Sequence, residues 1–326
     1  MSPPMIEQDR PLVELDALPE AARIRSRRLS DGVATVVVDA TGLDGPQRQS
    51  LEDAIRTAAL AAPEVREVRV AMTAAQPSRT IIAIGSGKGG VGKSTLTTNL
   101  AVALARMGRR VGLIDADIYG PSQPTLLGSS EKPVARDDKL IPVAAHGLKF
   151  LSLGQLVGEG QALAWRGPMA TGALTRLLEA DWGDAELILV DLPPGTGDVQ
   201  LTLLQKARPA GAVVVSTPQD LSLIDARRAI DLFGKLNVPV LGLVENMAGY
   251  ICPHCGEGSD PFGSGGAEAA AASLGVPFLG RLPLSVAIRS ASDAGTPPAS
   301  GDGPEAQAFA ELATAVLKSL DTAAAS

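Results

Sequence analysis

The sequence contains a short apolar run, Ile81-Ile82-Ala83-Ile84, which breaks into the glycine-rich segment Gly85-Ser86-Gly87-Lys88-Gly89-Gly90-Val91-Gly92-Lys93-Ser94-Thr95. The apolar run predicts a buried parallel strand. After the glycines, Leu96, Leu100 and Leu104 recur at helical spacing and predict a helix that ends at Gly108. The spacing from Gly87 to Ser94 fits G-x-x-x-x-G-K-[ST], the pattern of a phosphate-binding loop.

The chemistry of this loop follows from its backbone. Glycines allow successive N–H groups to turn toward one anion, and the start of the helix adds a partial positive charge. We expect Lys93 to reach the β- and γ-phosphates and the Ser94 hydroxyl to ligate Mg²⁺. Strand, loop and helix occur in the order that the motif requires, which argues against a glycine-rich turn that matches by chance.

Composition limits the class of protein. The 326 residues carry 29 basic and 36 acidic side chains, a net charge of −7, which disfavours broad binding to nucleic acid or to an anionic membrane. Hydrophobic residues make up 45% and aromatic residues 3%, so the core must be aliphatic. The first ten residues have no apolar signal core, and two cysteines form no disulfide framework. These features predict a cytoplasmic protein.

Two domains are expected. Residues 1–77 read as a small α+β domain, with strands at Val33–Val38 and around Val68–Met72 and a helix opened by Pro46. Residues 73–78 read as a linker. Residues 78–326 read as an α/β domain, a mostly parallel sheet with helices on both faces. Its predicted strands are 80–85, 111–115, 187–191, 212–216, 239–244 and 277–281.

Acidic residues end two of these strands. Val111–Asp115 continues into Asp117, and Leu187–Asp191 continues into Leu192-Pro-Pro-Gly195-Thr-Gly197. Ligands of parallel sheets bind at the carboxyl ends of the strands. An apolar run that ends in Asp is typical of a Walker B strand, so we expect Asp191 to hold Mg²⁺ through a water molecule. The two glycines after it predict a mobile switch segment.

The two cysteines lie together as Cys252-Pro-His254-Cys255. This spacing presents two thiolates to one zinc ion or one iron–sulfur cluster, each of which usually takes four ligands. One pair from each subunit of a dimer would complete the set. A thiol–disulfide motif and a simple turn are the alternatives. The pair does not open a helix, as redox motifs do.

The loop resembles the deviant Walker A motif, because Lys88 is a second lysine inside it. That class includes the MinD/ParA positioning ATPases, the nitrogenase iron protein and the Mrp/ApbC iron–sulfur carriers. The resemblance implies an ATP-dependent homodimer in which Lys88 crosses to the partner's nucleotide. It also implies that Asp117 orients the attacking water, that Asp115 serves the metal or the switch, and that Asn246 reads the adenine.

The cysteine pair narrows the resemblance to the Mrp/ApbC family, which matches almost all of residues 79–326. Further matching segments are Asp115–Ser122, Arg166–Met169, Asp191–Asp198, Glu245–Met247 and Phe262–Gly266. The implied function is an ATPase that carries a [4Fe–4S] cluster between two subunits, receives it from a donor scaffold and delivers it to client apoproteins. By the same resemblance, Arg281–Pro283 wall the base pocket.

These inferences define a predicted site. The predicted catalytic residues are Lys88, Lys93 and Asp117. The predicted nucleotide-binding residues are Gly87 to Thr95 together with Asn246. The predicted Mg²⁺ ligands are Ser94, Asp115 and Asp191, and the predicted cluster ligands are Cys252 and Cys255.

Two rival functions remain at this point. One is a ParA/MinD-like dimerisation switch whose cysteines bind structural zinc. The acidic net charge and the lack of a basic carboxyl-terminal anchor argue against its binding to DNA or membrane. The other is a ligase on a related fold, for which the sequence offers no substrate site.

Overall fold

A computed structural model describes residues 12–43, 45–73, 79–118, 120–156 and 167–325. The chain divides into two compact units between Ser78 and Arg79. Thr73 closes a strand, and the rest of the expected linker, residues 74–78, lies outside the described residues. Tyr119 and Arg166, both within segments that carry the family resemblance, also lie outside them.

In its described residues, the first unit contains a three-stranded sheet and one α-helix, preceded by two short 3-10 helices, Val13–Ala17 and Ala21–Arg23. Its elements are β1 (Ile24–Ser30), β2 (Val33–Asp39), α1 (Gly45–Leu60) and β3 (Glu67–Thr73). Strands β2 and β3 are parallel and α1 connects them, whereas β1 pairs antiparallel with β2. Val36 and Val38 of β2 and Leu51 and Ile55 of α1 are buried in its core. Strand β1 was not predicted, because its sequence is polar. A polar sequence suits its position as a largely exposed edge strand.

The second unit contains the remaining elements. Its strands are β4 (Thr80–Ser86), β5 (Val111–Asp115), β6 (Val134–Arg136), β7 (Lys139–Ile141), β8 (Val143–Ala145), β9 (Leu148–Ser152), β10 (Leu187–Asp191), β11 (Gly211–Ser216), β12 (Val240–Glu245), β13 (Tyr250–Ile251), β14 (Gly258–Ser259) and β15 (Phe278–Arg281). Its helices are α2 (Lys93–Arg106), α3 (Gln123–Leu126), α4 (Gly167–Leu178), α5 (Asp198–Ala207), α6 (Asp220–Lys235), α7 (Gly266–Leu274), α8 (Val286–Asp293) and α9 (Pro304–Ala324).

Eight of these strands form one sheet in the order β15-β12-β11-β4-β10-β5-β9-β8. Every neighbouring pair is parallel except β8 and β9 at one edge. The six predicted strands are present within one residue of their expected ends. Strands β8 and β9 were not predicted, although β9 extends the parallel part of the sheet.

Helices cover both faces of this sheet, so the expected α/β architecture is confirmed. On one face, Leu100 of α2 and Phe309 of α9 belong to the same buried cluster as Ile82 and Ile84 of β4. On the other face, residues of α4, α5, α6 and α7 belong to a second buried cluster, which contains Ala83 of β4. Adjacent residues of a strand point to opposite faces, which explains how one apolar run supplies both cores. In the part of the chain that the structure describes, no helix is long and apolar enough to cross a membrane.

The sheet register determines where the acidic residues lie. Asp191 pairs with Asp115 on one side and with Ile84 on the other. All three strands run parallel, so the two aspartates and the start of the glycine-rich loop reach the same carboxyl edge. The strand order therefore assembles the site that the sequence pattern predicted at this edge.

Candidate functional site

The glycine-rich loop encloses a cavity of about 210 Å³ next to the start of α2. Residues of the loop line it together with Asp117 and Pro194. Gly90 and Gly92 have φ values of +79° and +81°, in the left-handed region that favours glycine. Gly87 is required for another reason, since a Cβ there would lie 2.0 Å from the backbone carbon of Asp225 in α6. The loop is thus shaped by its glycines as the motif requires.

Lys93 is buried, and its ammonium group is paired with carboxylates. Its Nζ atom lies 2.6 Å from Oδ1 of Asp191 and 3.9 Å from Oδ2 of Asp117. The Thr97 hydroxyl, one turn later in α2, also donates to Oδ1 of Asp191 at 3.1 Å. The predicted phosphate-binding lysine and the predicted Walker B aspartate therefore form a buried ion pair.

Asp115 is fully buried and anchors the loop that follows β5. Its carboxylate accepts hydrogen bonds from the backbone N–H groups of Ser122 and Gln123, each at 3.0 Å, and from the Ser152 hydroxyl at 2.9 Å. Burial raises the pKa of Asp115 to about 7, and the negative charge of Asp191 acts in the same direction. Its contacts hold the segment that carries Asp117 against the sheet.

Asp117 lines the cavity of the glycine-rich loop and is 8% exposed. Its backbone N–H donates to Asp115, and its carboxylate accepts from the N–H of Gly120 at 3.3 Å. A carboxylate at this place can accept a hydrogen bond from a water molecule beside the phosphates. The catalytic role that the family resemblance implies for Asp117 stays a prediction.

Gln123 belongs to the site, and sequence reasoning missed it. Its side chain is fully buried and donates to Oδ2 of Asp191 at 2.9 Å and to the carbonyl oxygen of Ser94 at 3.2 Å. Its Oε1 atom accepts from the Thr98 hydroxyl at 2.6 Å. Gln123 therefore connects the Walker B strand, helix α2 and the Asp115 loop. Its one sequence signal is its position directly after the matching segment that ends at Ser122.

The residues around the cavity fit a nucleotide with its magnesium ion. Ser94 and Asp117 place a hydroxyl and a carboxylate at the cavity. Asp191 contacts Lys93, which also lines the cavity. Oxygen ligands of this kind are the ones that Mg²⁺ prefers. Protein donors bond both carboxylate oxygens of Asp115, and its role as a Mg²⁺ ligand stays a prediction.

The predicted switch segment follows β10. The N–H group of Gly195 donates to the Ser86 carbonyl oxygen at 3.0 Å, which ties the segment to the start of the loop. Gly195 has φ +91°, whereas Gly197 has φ −82°, an ordinary value for any residue. Of the two glycines expected to permit motion, only Gly195 adopts a backbone conformation that favours glycine.

A second cavity, of about 290 Å³, adjoins the first at Gly92 and Thr95. Asn246, Leu282 and Pro283 line it, as the family resemblance implies for a base pocket. Asn246 donates from Nδ2 to the carbonyl oxygen of Val91 at 2.8 Å, so its amide contacts the glycine-rich loop. The expectation that Arg281 walls the pocket is wrong, because Arg281 does not line the cavity and bonds Glu268 instead.

The cysteine pair lies at the tip of a small hairpin formed by β13 and β14. The backbone N–H groups of Cys255 and His254 lower the pKa of the Cys252 thiol, as does the Cys255 side chain. Cys252 is half-buried, and Cys255 is exposed with its S–H group 3.8 Å from a carboxylate oxygen of Glu257. Among the described residues, no group of three or more His, Cys, Asp or Glu could hold a metal ion within one chain.

Comparisons with known proteins identify the family that the chain resembles. The family described as ParA, NUBPL iron-transfer P-loop NTPase, matches residues 78–317. An iron–sulfur cluster carrier protein from Pseudomonas fragi is 50% identical over 241 residues, 72% of this chain and 84% of the relative. A protein of the same description from Deinococcus radiodurans is 46% identical over 288 residues, 84% of this chain and 81% of the relative.

Solved structures show the same fold. A nucleotide-binding protein from Archaeoglobus fulgidus in complex with ADP is 41% identical, has a TM-score of 0.59, and is matched over 66% of this chain and 86% of its own. The cell division ATPase MinD from Pyrococcus furiosus is 25% identical with a TM-score of 0.56, over 73% of this chain and 98% of its own. The resemblance inferred from the loop and the cysteine pair is confirmed. The family match spans well over half of the sequence, so the chain belongs to the NUBPL iron-transfer P-loop NTPases.

Proposed function

We propose that the chain is an ATP-binding and ATP-hydrolysing carrier that holds a [4Fe–4S] cluster between two subunits and transfers it to apoproteins. The observation that carries the proposal is the presence, in one unit, of a complete phosphate-binding loop and of a hairpin with two cysteines, Cys252 half-buried and Cys255 exposed. The relatives named iron–sulfur cluster carrier proteins support the same function.

Hydrolysis would use the residues around the loop cavity. Backbone N–H groups of Gly89 to Gly92 bind the phosphates, and Lys93 leaves Asp191 to neutralise their charge. Asp117 orients the water that attacks the γ-phosphate. Ser94, and Asp191 through a water molecule, would hold Mg²⁺ with Asp115 beside them, and the ion would supply further positive charge to the phosphate oxygens.

The homodimer is part of the proposal. Lys88 lines the loop cavity and is only half-buried, so its ammonium is available to a nucleotide bound by a second copy. Two thiolates from each chain would give the four ligands that a [4Fe–4S] cluster usually takes. An iron–sulfur donor scaffold and client apoproteins would be the other partners, and the cytoplasm would keep the thiols reduced.

The proposal is tested by anaerobic reconstitution with iron and sulfide. Wild-type chain should bind about four irons per dimer, with the absorption of a [4Fe–4S] cluster, and Cys252→Ala should bind none. Ser259→Ala, an exposed substitution in the same hairpin, is the matched control and should load like wild type. Iron loading that survives the loss of both cysteines, or tight zinc binding without iron, would refute the proposal.

A further inference from the structure

The segment 246–249 connects the nucleotide site directly to the cysteine hairpin. It begins at Asn246, immediately after β12, and leads into β13, which is followed by Cys252. We refer to residues 246–249 as the connector. Only six positions separate Asn246 from Cys252, so the two sites are neighbours along the chain as well as parts of one unit.

One side of the connector lies on the phosphate-binding loop. Asn246 donates to the carbonyl oxygen of Val91 at 2.8 Å. A Cβ placed on Gly92 would lie 2.2 Å from Nδ2 of Asn246 and 3.6 Å from Cε of Met247. Both side chains are therefore packed over the residue that precedes Lys93. A change in the backbone of Gly92 would act on them directly.

The other side of the connector lies on the wall of the base pocket. The N–H group of Ala248 donates to the carbonyl oxygen of Leu282, and the N–H group of Leu284 donates to the carbonyl oxygen of Gly249, each at 2.9 Å. An isolated β-bridge then joins Tyr250 to Leu284. Leu282 and Leu284 also line the second cavity. A base in that cavity would contact the residues to which the connector is bonded.

Met247 occupies an unusual backbone conformation at the centre of these contacts. Its φ value is +63°, in the left-handed region, which long side chains rarely adopt without a compensating constraint. Gly249 also has a positive φ, +77°, but glycine adopts it without strain. Backbone strain of this kind is often found where a local conformation serves function.

We propose that Met247 is a positioning residue that couples nucleotide occupancy to the placement of the Cys252–Cys255 hairpin within one subunit. The inference deepens the proposed carrier function and rests on it. Phosphates at Gly92 and a base at Leu282–Leu284 act on the two sides of the connector, and Met247 is the residue at which it turns. The nucleotide shifts the hairpin between two positions to the extent that it binds one of them more tightly.

The experiment measures thiol reactivity in the cluster-free, reduced full-length chain. Alkylation of Cys252 and Cys255 by iodoacetamide is followed by mass spectrometry without ADP and at ADP concentrations that saturate each variant. Gel filtration confirms that the oligomeric state does not change with ADP. In wild type we expect ADP to change the alkylation rate about fivefold or more, the lower end of typical site-to-site coupling.

The variants isolate Met247. Met247→Gly removes both the strain and the contact over Gly92, and its ADP response should fall to about twofold or less. Met107→Gly removes an exposed methionine at the end of α2 and should keep the full response. If Met247→Gly does not fold, as judged by thermal unfolding, Met247→Asn replaces it, because asparagine tolerates a left-handed backbone.

A full ADP response in the Met247 variant, or none in wild type, would overturn the proposal. Iron loading is measured on separate samples, so the two hypotheses fail separately. A chain that takes up no iron but shows the Met247-dependent response would refute the carrier function alone. A chain that loads iron normally without that response would refute only the coupling.

Discussion

Nζ of Lys93 lies 2.6 Å from Oδ1 of Asp191, and both side chains are buried in the second unit. Each side chain neutralises the charge of the other. Either charge would be costly to bury without its partner. Incoming phosphates must compete with Asp191 for this ammonium group. Binding of phosphates by Lys93 would therefore have to replace this ion pair.

Removing the lysine tests this pair. Lys93→Ala should abolish ATP hydrolysis and lower the free energy of unfolding by about 3 kcal/mol, because it leaves Asp191 buried without its cation. Urea unfolding and phosphate release are the measurements. Lys88→Ala, which removes a half-buried lysine of the same loop, should change the unfolding free energy by less than about 0.5 kcal/mol. Equal stability of wild type and Lys93→Ala would contradict the structural role of the pair.

Asp117→Asn tests the proposed catalytic step. The amide cannot accept a proton or orient water as the carboxylate does, so hydrolysis should slow by about 100-fold or more. ATP binding, followed with a fluorescent analogue, should stay within about threefold of wild type, since Asp117 is assigned to the attacking water. Asp137→Asn, in an exposed turn, serves as the control. A variant that hydrolyses ATP at the wild-type rate would exclude Asp117 from the reaction.

Gln123→Leu tests the residue that connects the Walker B strand to α2. The leucine has a similar size but removes the hydrogen bond that Oδ2 of Asp191 accepts from Gln123, which should cost about 2 kcal/mol of unfolding free energy. The Thr98 hydroxyl loses Gln123 as an acceptor but keeps the carbonyl oxygen of Ser94 at 2.9 Å. Gln307→Leu, on the exposed side of α9, should be close to neutral. Similar unfolding midpoints for the two variants would show that the buried network contributes little.

Two glycines next to the nucleotide site should differ sharply on substitution. Gly87→Ala places a Cβ 2.0 Å from the backbone of Asp225, so α6 must move, and we expect a loss of about 2–3 kcal/mol. Gly197→Ala meets no atom within 4 Å and has an ordinary φ, so its cost should be at most about 0.5 kcal/mol. Thermal unfolding of both variants measures the difference, and comparable losses would contradict the close packing at Gly87.

Prediction from sequence succeeds here where a pattern is local. The run before Gly85 and the run before Asp191 are strands because consecutive apolar residues mark buried parallel strands. Strand β1 is polar and lies at a sheet edge, so it carries no such signal. Gln123 was missed because a single glutamine becomes informative only when the sheet register brings Asp115 beside Asp191. Arg281 was misplaced because its partner, Glu268, lies on a helix whose position depends on the whole fold.

The position of the two cysteines at the hairpin tip would make cluster binding depend on protein concentration. In the part of the chain that the structure describes, no third ligand joins the two cysteines, so one copy supplies half of what a cluster needs. The occupancy of a cluster site that is shared by two copies depends on the concentration of the chain through mass action. Below the dissociation constant of the dimer, the two copies would separate, and dilution alone would release the cluster. The cellular concentration of this chain would then determine how much cluster remains bound to it.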